Sequence, residues 1–259
     1  MSARPIALVT GSRRGIGRAI ATELGRAGFD VALTDVVASE ELDQAVAEVE
    51  RTGARAIAVV SDLADIGSHQ ATLLDIEARL AGPIDCLVNN AGVSVMSRGD
   101  LLDVTPESFD RCIAVNTRGT FFLTQAFAKH CLARSGAPIA AHPSIITITS
   151  SNAVAASPLR SEYCVSKAGL SMANTLFSLR LAEHGVSVYE VQPGLIETEM
   201  TAPSRARYDA QIDQGLTAIK RWGTPQEVAT IVRTLATGGL PYSVGQAIRV
   251  DGGLLVTKY

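Results

Sequence analysis

The chain has 259 residues, 47% hydrophobic and 19% charged, with Lys+Arg 23 against Asp+Glu 26 and a formal net charge of -3. That apolar content excludes a chain that stays disordered, and the length suits one large α/β domain. The near-balance of charge supplies no global attraction for nucleic acid or an anionic membrane, so neither is an expected partner.

Along the chain, short β-branched runs alternate with longer amphipathic stretches, the pattern of βαβ units in a doubly wound parallel sheet with helices on both faces, a Rossmann-like α/β fold. The expected strands are Ile6 to Val9, Val31 to Thr34, Ala56 to Val60, Cys86 to Asn89, Ile145 to Thr149, Ser187 to Val191 and Ala247 to Val250. The expected helices are Gly17 to Ala27, Glu40 to Thr52, Ser68 to Leu80, Pro106 to Arg134, Glu162 to His184 and Pro225 to Ala236. A single domain over 1–259 is expected, with Thr224 capping the last helix ahead of Pro225. The stretch from Gly194 to Trp222 lacks strand periodicity and reads as an excursion, a candidate substrate lid. The apolar run Ile6 to Val9 is too short for a signal peptide or a membrane span, and a soluble cytoplasmic protein is expected. Cys86, Cys112, Cys131 and Cys164 form no CxxC pair, which points to reduced thiols and to no zinc site.

The first strand runs straight into Thr10-Gly11-Ser12-Arg13-Arg14-Gly15-Ile16-Gly17. Glycines in such a turn let a diphosphate approach the backbone, and the helix that follows offers free amides and a positive dipole end. Asp35 ends the second strand, where an acid can reach the adenosine ribose hydroxyls and repel a 2′-phosphate. NAD is therefore favoured, while Arg14 beside the loop pulls toward NADP.

Tyr163 and Lys167 stand four apart in YCVSK within a helical segment, so both side chains leave the same face. A free phenol titrates near pH 10, and a cation one turn away is what would make it serve as a base at neutral pH. Ser150, at the end of the strand Ile145 to Thr149, is placed to orient a substrate oxygen. The four histidines form no metal-ligand pattern, and no GxSxG elbow supports a serine hydrolase.

With these motifs in order, the chain resembles the short-chain dehydrogenase/reductase family, in its single-domain, ketoacyl reductase-like form. The resemblance extends through Asn89-Asn90-Ala91-Gly92, Asn116 in VNTRG, Pro193-Gly194 with Thr198, and GQAIRVDGG. It implies Tyr163 as acid/base, Lys167 acidifying it and holding the nicotinamide ribose, Ser150 polarising the substrate oxygen, and Asn116 holding a water that links Lys167 to solvent. It further implies that Gly11, Arg14, Gly15, Ile16, Gly17, Asp35, Asp62, Leu63, Asn89, Ala91, Gly92, Pro193, Gly194, Ile196 and Thr198 contact the cofactor. A homotetramer and a small alcohol or ketone substrate are implied too.

The expected activity is hydride transfer between a nicotinamide cofactor and a secondary alcohol or ketone. The alternatives are an NADP-dependent 3-ketoacyl-(acyl-carrier-protein) reductase and a nicotinamide-binding protein without turnover. Two departures from the family pattern stand out: Val188-Tyr189-Glu190-Val191-Gln192 ahead of Pro193, and the long link Ser135 to Pro143. Met96, Arg98, Ala153, Arg160, Met200, Tyr208 and Trp222 lie in segments expected to ring the pocket, and Arg98 and Arg160 suit an anionic group.

Overall fold

The computed structural model describes residues 4–134 and 142–257. Its sheet is parallel throughout, in the order β3-β2-β1-β4-β5-β6-β7. The strands are β1 (Ile6–Thr10), β2 (Asp30–Asp35), β3 (Ala56–Val60), β4 (Ile84–Asn89), β5 (Ser144–Ile148), β6 (Ser187–Pro193) and β7 (Ala247–Val250). The helices are α1 (Gly15–Arg26), α2 (Glu40–Glu50), α3 (His69–Leu80), α4 (Pro106–Cys112), α5 (Thr120–Ala133), α6 (Ser161–Leu181), α7 (Arg205–Asp213) and α8 (Pro225–Ala236).

Strand alternation divides the core in two. Ala7 and Val9 of β1 point to a layer filled by Ile20, Leu24, Leu42, Val49, Val228 and Val232, while Ile6 and Leu8 point to one filled by Leu73, Ile76, Leu123, Phe127 and Leu181. Helices thus cover both faces, which explains why the strands read as continuous apolar runs. Truncating a side chain such as Leu8 to alanine costs about 2–5 kcal/mol in a core of this kind. β1 has β2 on one side and β4 on the other, so the chain reverses its winding there and opens a crevice beyond the strand ends.

Two expectations need correction. The helix expected over Pro106 to Arg134 is interrupted: α4 gives way to a π-helical turn, Ile113–Gly119, before α5 begins. The stretch Gly194 to Trp222 is not wholly irregular, because it contains α7 and buries Ile212 and Trp222. The expected start of α8 is found: the Thr224 hydroxyl accepts from the Glu227 amide, and the Glu227 carboxylate accepts from the Thr224 amide at 2.8 Å. Of the link Ser135 to Pro143, residues 135–141 lie outside the described residues.

Candidate active site

A cavity of about 990 Å³ opens over the carboxyl ends of β1, β2, β4, β5 and β6. One end of it is built on the turn after β1. The Thr10 hydroxyl accepts from the amides of Asn90 and Ala91, each at 3.0 Å, and the Asn90 amide group donates to the carbonyls of Thr10 and Gly11, each at 2.9 Å. These bonds tie the glycine turn to the end of β4. Gly11 has φ +62°, and a Cβ there would lie 2.7 Å from the Ala91 Cα. A Cβ on Gly17 would meet the Gly11 carbonyl oxygen and stand 2.5 Å from Asn90 Nδ2. No side chain caps the first turn of α1, so its amides remain available to an anion in the cavity.

Gly11, Arg14, Gly15, Ile16, Gly17, Asp35, Asp62, Leu63, Ala91, Gly92, Pro193, Gly194, Ile196 and Thr198 all line this cavity. Asn89 does not: its side chain is buried in the sheet, donating to the hydroxyls of Thr124 at 2.9 Å and Thr147 at 3.4 Å. The neighbouring Asn90 lines the cavity instead. Asp35 accepts from the Val36 amide at 2.9 Å, and the guanidinium beside it, at 3.6 Å, belongs to Arg13. Arg14, the arginine singled out in the sequence, is exposed on the rim.

At the other end of the cavity, α6 presents Tyr163 and Lys167 on one face, and Ser150 ends the segment that follows β5. All three line the cavity. Lys167 is buried, with its ammonium 5.8 Å from the centre of the Tyr163 ring and donating to the Ile148 carbonyl at 3.0 Å. Burial pushes its titration below that of an ordinary lysine, and the charge of Tyr163 opposes this. The Ser150 hydroxyl accepts from the Asn152 amide at 3.1 Å, which fixes its position and leaves its proton free to be donated.

Asn116 lies within the π-helical turn, fully buried. Its carboxamide accepts from the Val93 amide at 2.7 Å and donates to the Val93 carbonyl at 3.0 Å and the Ser166 hydroxyl at 2.9 Å. It therefore clamps the loop after β4 to α6 next to Lys167; a Cβ on Gly92 would lie 3.1 Å from Asn116 Oδ1 and 3.5 Å from Lys167 Nζ. Helical periodicity does not announce an extra residue in a turn, so this π-helical turn is not legible from the spacing of apolar residues.

Glu190 and Arg160 complete this end. Glu190, the departure noted in β6, is a buried carboxylate accepting from the hydroxyls of Thr149 at 2.6 Å and Ser171 at 2.8 Å and from the Gln192 amide at 2.8 Å. It braces the strand end that carries Ser150 and favours the charged form of Lys167. The Arg160 guanidinium stacks 4.0 Å from the Tyr163 ring centre. Of the residues expected to ring the pocket, Arg98, Arg160, Met200 and Tyr208 line it, whereas Met96, Ala153 and Trp222 do not. Trp222 packs edge-on against Tyr208 and donates to Asp209 at 2.6 Å.

Among the described residues no group of three or more His, Cys, Asp or Glu side chains is placed to hold a metal ion, and no helix is long and apolar enough to cross a membrane.

The chain was compared with known proteins. The family model for short chain dehydrogenases matches residues 5–209. Versicolorin reductase 1 of Aspergillus parasiticus is 34% identical over 96% of this chain and 95% of its own. The 3-oxoacyl-[acyl-carrier-protein] reductase of Synechocystis is 35% identical over 97% of each. The crystal structure of a 3-oxoacyl-[acyl-carrier protein] reductase from Brucella melitensis in complex with NAD superposes with a TM-score of 0.94, at 46% identity over 99% of both chains. The glycine turn, the Rossmann-like sheet and these full-length likenesses lead to one conclusion: the chain belongs to the short-chain dehydrogenase/reductase family, oxidoreductases that act on carbonyl and hydroxyl groups and bind nicotinamide cofactors.

Proposed function

We propose that this protein transfers hydride between NAD(H) and a secondary alcohol or its ketone, with Tyr163 as the proton-transferring group. The observation that carries this reading is the placement of Tyr163 on the cavity wall with the buried Lys167 ammonium one helical turn away. The glycine cradle at Gly11 and Gly17, which any Cβ would fill, suits a dinucleotide diphosphate. When bound, the nicotinamide supplies the hydride chemistry.

This chain's residues then do the rest. The Ser150 hydroxyl donates to the substrate oxygen and orients it. In the oxidising direction Tyr163 Oη takes the hydroxyl proton, and in the reducing direction it returns it. Lys167 and Arg160 face the ring on which negative charge develops, and stabilise it. Asn116 acts by positioning the Val93 loop against α6. Asp35 suits the adenosine ribose hydroxyls, which favours NAD. Arg13 beside it offsets part of the carboxylate's charge and so softens the discrimination against NADP. The residues of 194–222 that line the cavity, between Gly194 and Leu216, support reading this stretch as the substrate lid.

A second reading, reduction of 3-oxoacyl-[acyl-carrier-protein], is favoured by the names of the Synechocystis and Brucella relatives. For quaternary structure we infer self-association, since Val165, Met172, Leu176 and Leu179 leave an exposed apolar stripe along α6. An absorbance assay at the reduced-nicotinamide band tests the function, with both cofactors against sugars, polyols, hydroxy acids, simple ketones and acyl thioesters. Cofactor-dependent turnover with NAD(H) preferred is the expected result; nucleotide binding with no turnover anywhere on the panel would leave only a binding protein.

A further inference from the structure

At its nucleotide end the cavity carries both signs of charge, with Arg13 and Arg14 beside Asp35, Asp62 and Glu199, whereas at its catalytic end Arg98, Arg111 and Arg160 line it. The three arginines are absent from the ion pairs formed by the described residues, whereas Arg13, Arg205 and Arg221 each face a carboxylate. Arg160 is the most confined of them. Its guanidinium carbon lies over the Tyr163 ring, 4.0 Å from the centre, its Nε is buried without a hydrogen-bond partner, and its terminal nitrogens reach neutral oxygens, Asn152 Oδ1 at 3.4 Å and Ser94 Oγ at 3.3 Å. Ser94 also holds the second arginine, accepting from Arg111 at 3.0 Å through its carbonyl. Among the described residues no carboxylate pairs with Arg160, the buried Glu162 nearby in the chain being turned to the Ser108 hydroxyl, and Arg160 stands near enough to the Lys167 ammonium to disfavour its charge.

An uncompensated guanidinium in such a place is costly unless a ligand pairs with it, and its planar fork matches a carboxylate. Resting on the proposed function, we infer that the substrate is a hydroxy or oxo acid whose carboxylate lies close to the reacting carbon, received by Arg160 beside Ser94. The stack fixes how close: a group bound to a guanidinium that touches the Tyr163 ring is a near neighbour of the oxygen that Tyr163 Oη serves. The remote phosphate of a carrier-bound thioester does not fit this position, so the inference separates free acids from acyl-carrier substrates.

The test pairs 2- and 3-hydroxy acids with their methyl esters, and includes neutral secondary alcohols and acyl-pantetheine thioesters, for the wild type, Arg160→Gln and Arg160→Lys. NADH binding confirms that each variant is folded. The wild type is expected to favour acid over ester in kcat/KM by about 10- to 100-fold, the range of a charge-assisted pair. Arg160→Gln is expected to lower kcat on acid and ester alike, because the guanidinium over Tyr163 is lost, and to collapse the acid-to-ester ratio to within about 3-fold through KM for the acid alone, with Arg160→Lys keeping an intermediate ratio. Equal use of acid and ester by the wild type, an unchanged ratio in Arg160→Gln, or turnover confined to thioesters would overturn the inference while leaving hydride transfer in place. No turnover of any substrate with either nucleotide would overturn the proposed function, and this inference with it.

Discussion

At the nucleotide end of the cavity the ligand-facing surface is a glycine turn and the uncapped amides of α1, whereas at the catalytic end it is side chains rooted in a buried polar network. Asn116, Ser166, Lys167, Thr149, Glu190 and Gln192 are all buried there, each held by hydrogen bonds. A backbone site fails when space is filled; a network site fails when one charge or one donor is removed. The two ends therefore respond differently to substitution.

The sharpest contrast comes from filling the cradle. Gly17→Ala drives a methyl into the Gly11 carbonyl and Asn90, and we expect NADH affinity to drop at least about 100-fold in a fluorescence titration, with a stability loss of about 1–3 kcal/mol from overpacking. Unimpaired binding would show that the turn relaxes and is not a rigid cradle.

At the other end, Lys167→Met is expected to keep NADH binding within about tenfold and to lower kcat by about 10²- to 10³-fold, in the range that general acid–base groups contribute. Its stability signature has a defined sign. Burial lowers the folded-state titration of Lys167, so below that value both states are protonated and the folded state bears the full desolvation cost. Between that value and the unfolded lysine's, near 10.4, the unfolded state holds more protons, and wild-type stability rises with pH relative to the variant. Urea unfolding from pH 7 to pH 10.5 measures this difference; a flat difference would mean that Lys167 titrates as an exposed lysine does.

The sequence made the nucleotide end legible because its rules are local. Glycine spacing after a strand and an acid at the end of the next, Asp35, sit within one βαβ unit. At the catalytic end the four-residue step from Tyr163 to Lys167 was equally readable, since one helix sets it. What the sequence did not disclose is long-range. Asn116 was named through the resemblance, but the π-helical turn that lets it clamp Val93 to α6 was not, and Glu190 meets Thr149 and Ser171 across elements. Asn89 turned into the sheet because Thr124 and Thr147 wait there for its amide. Arg13 instead of Arg14 faces Asp35 because loop geometry, which composition does not set, decides which of two adjacent arginines points inward.

Asp35→Ala gives a smaller effect at the nucleotide end. Removing the carboxylate takes away the charge that repels a 2′-phosphate and leaves Arg13 held only by the exposed Glu41, at 2.9 Å, and the NADPH-to-NADH ratio of kcat/KM is expected to rise about tenfold. An unchanged ratio would remove Asp35 from cofactor selection.

The smallest effect lies outside both ends and calibrates them. Arg221 and the Thr224 amide hold the Glu227 carboxyl at about 2, below its ordinary 4.5. A depressed carboxylate stabilises the fold above its unfolded value, and that contribution is lost as pH falls from about 4.5 toward about 2. Because the pair is solvent-exposed, Glu227→Gln is expected to cost only about 0.5–1 kcal/mol at pH 7, with the difference shrinking on acidification. A constant difference across that range would assign the loss to the cap alone.

The central claim is that cofactor binding and proton transfer reside in separate parts of one cavity, with Tyr163 serving only the second. NADH fluorescence titration and steady-state turnover of a single Tyr163→Phe preparation test it together. The arrangement predicts a Kd for NADH within about twofold of wild type and a kcat lower by at least about 10³-fold. Turnover within tenfold of wild type would contradict it, as would a parallel loss of NADH binding.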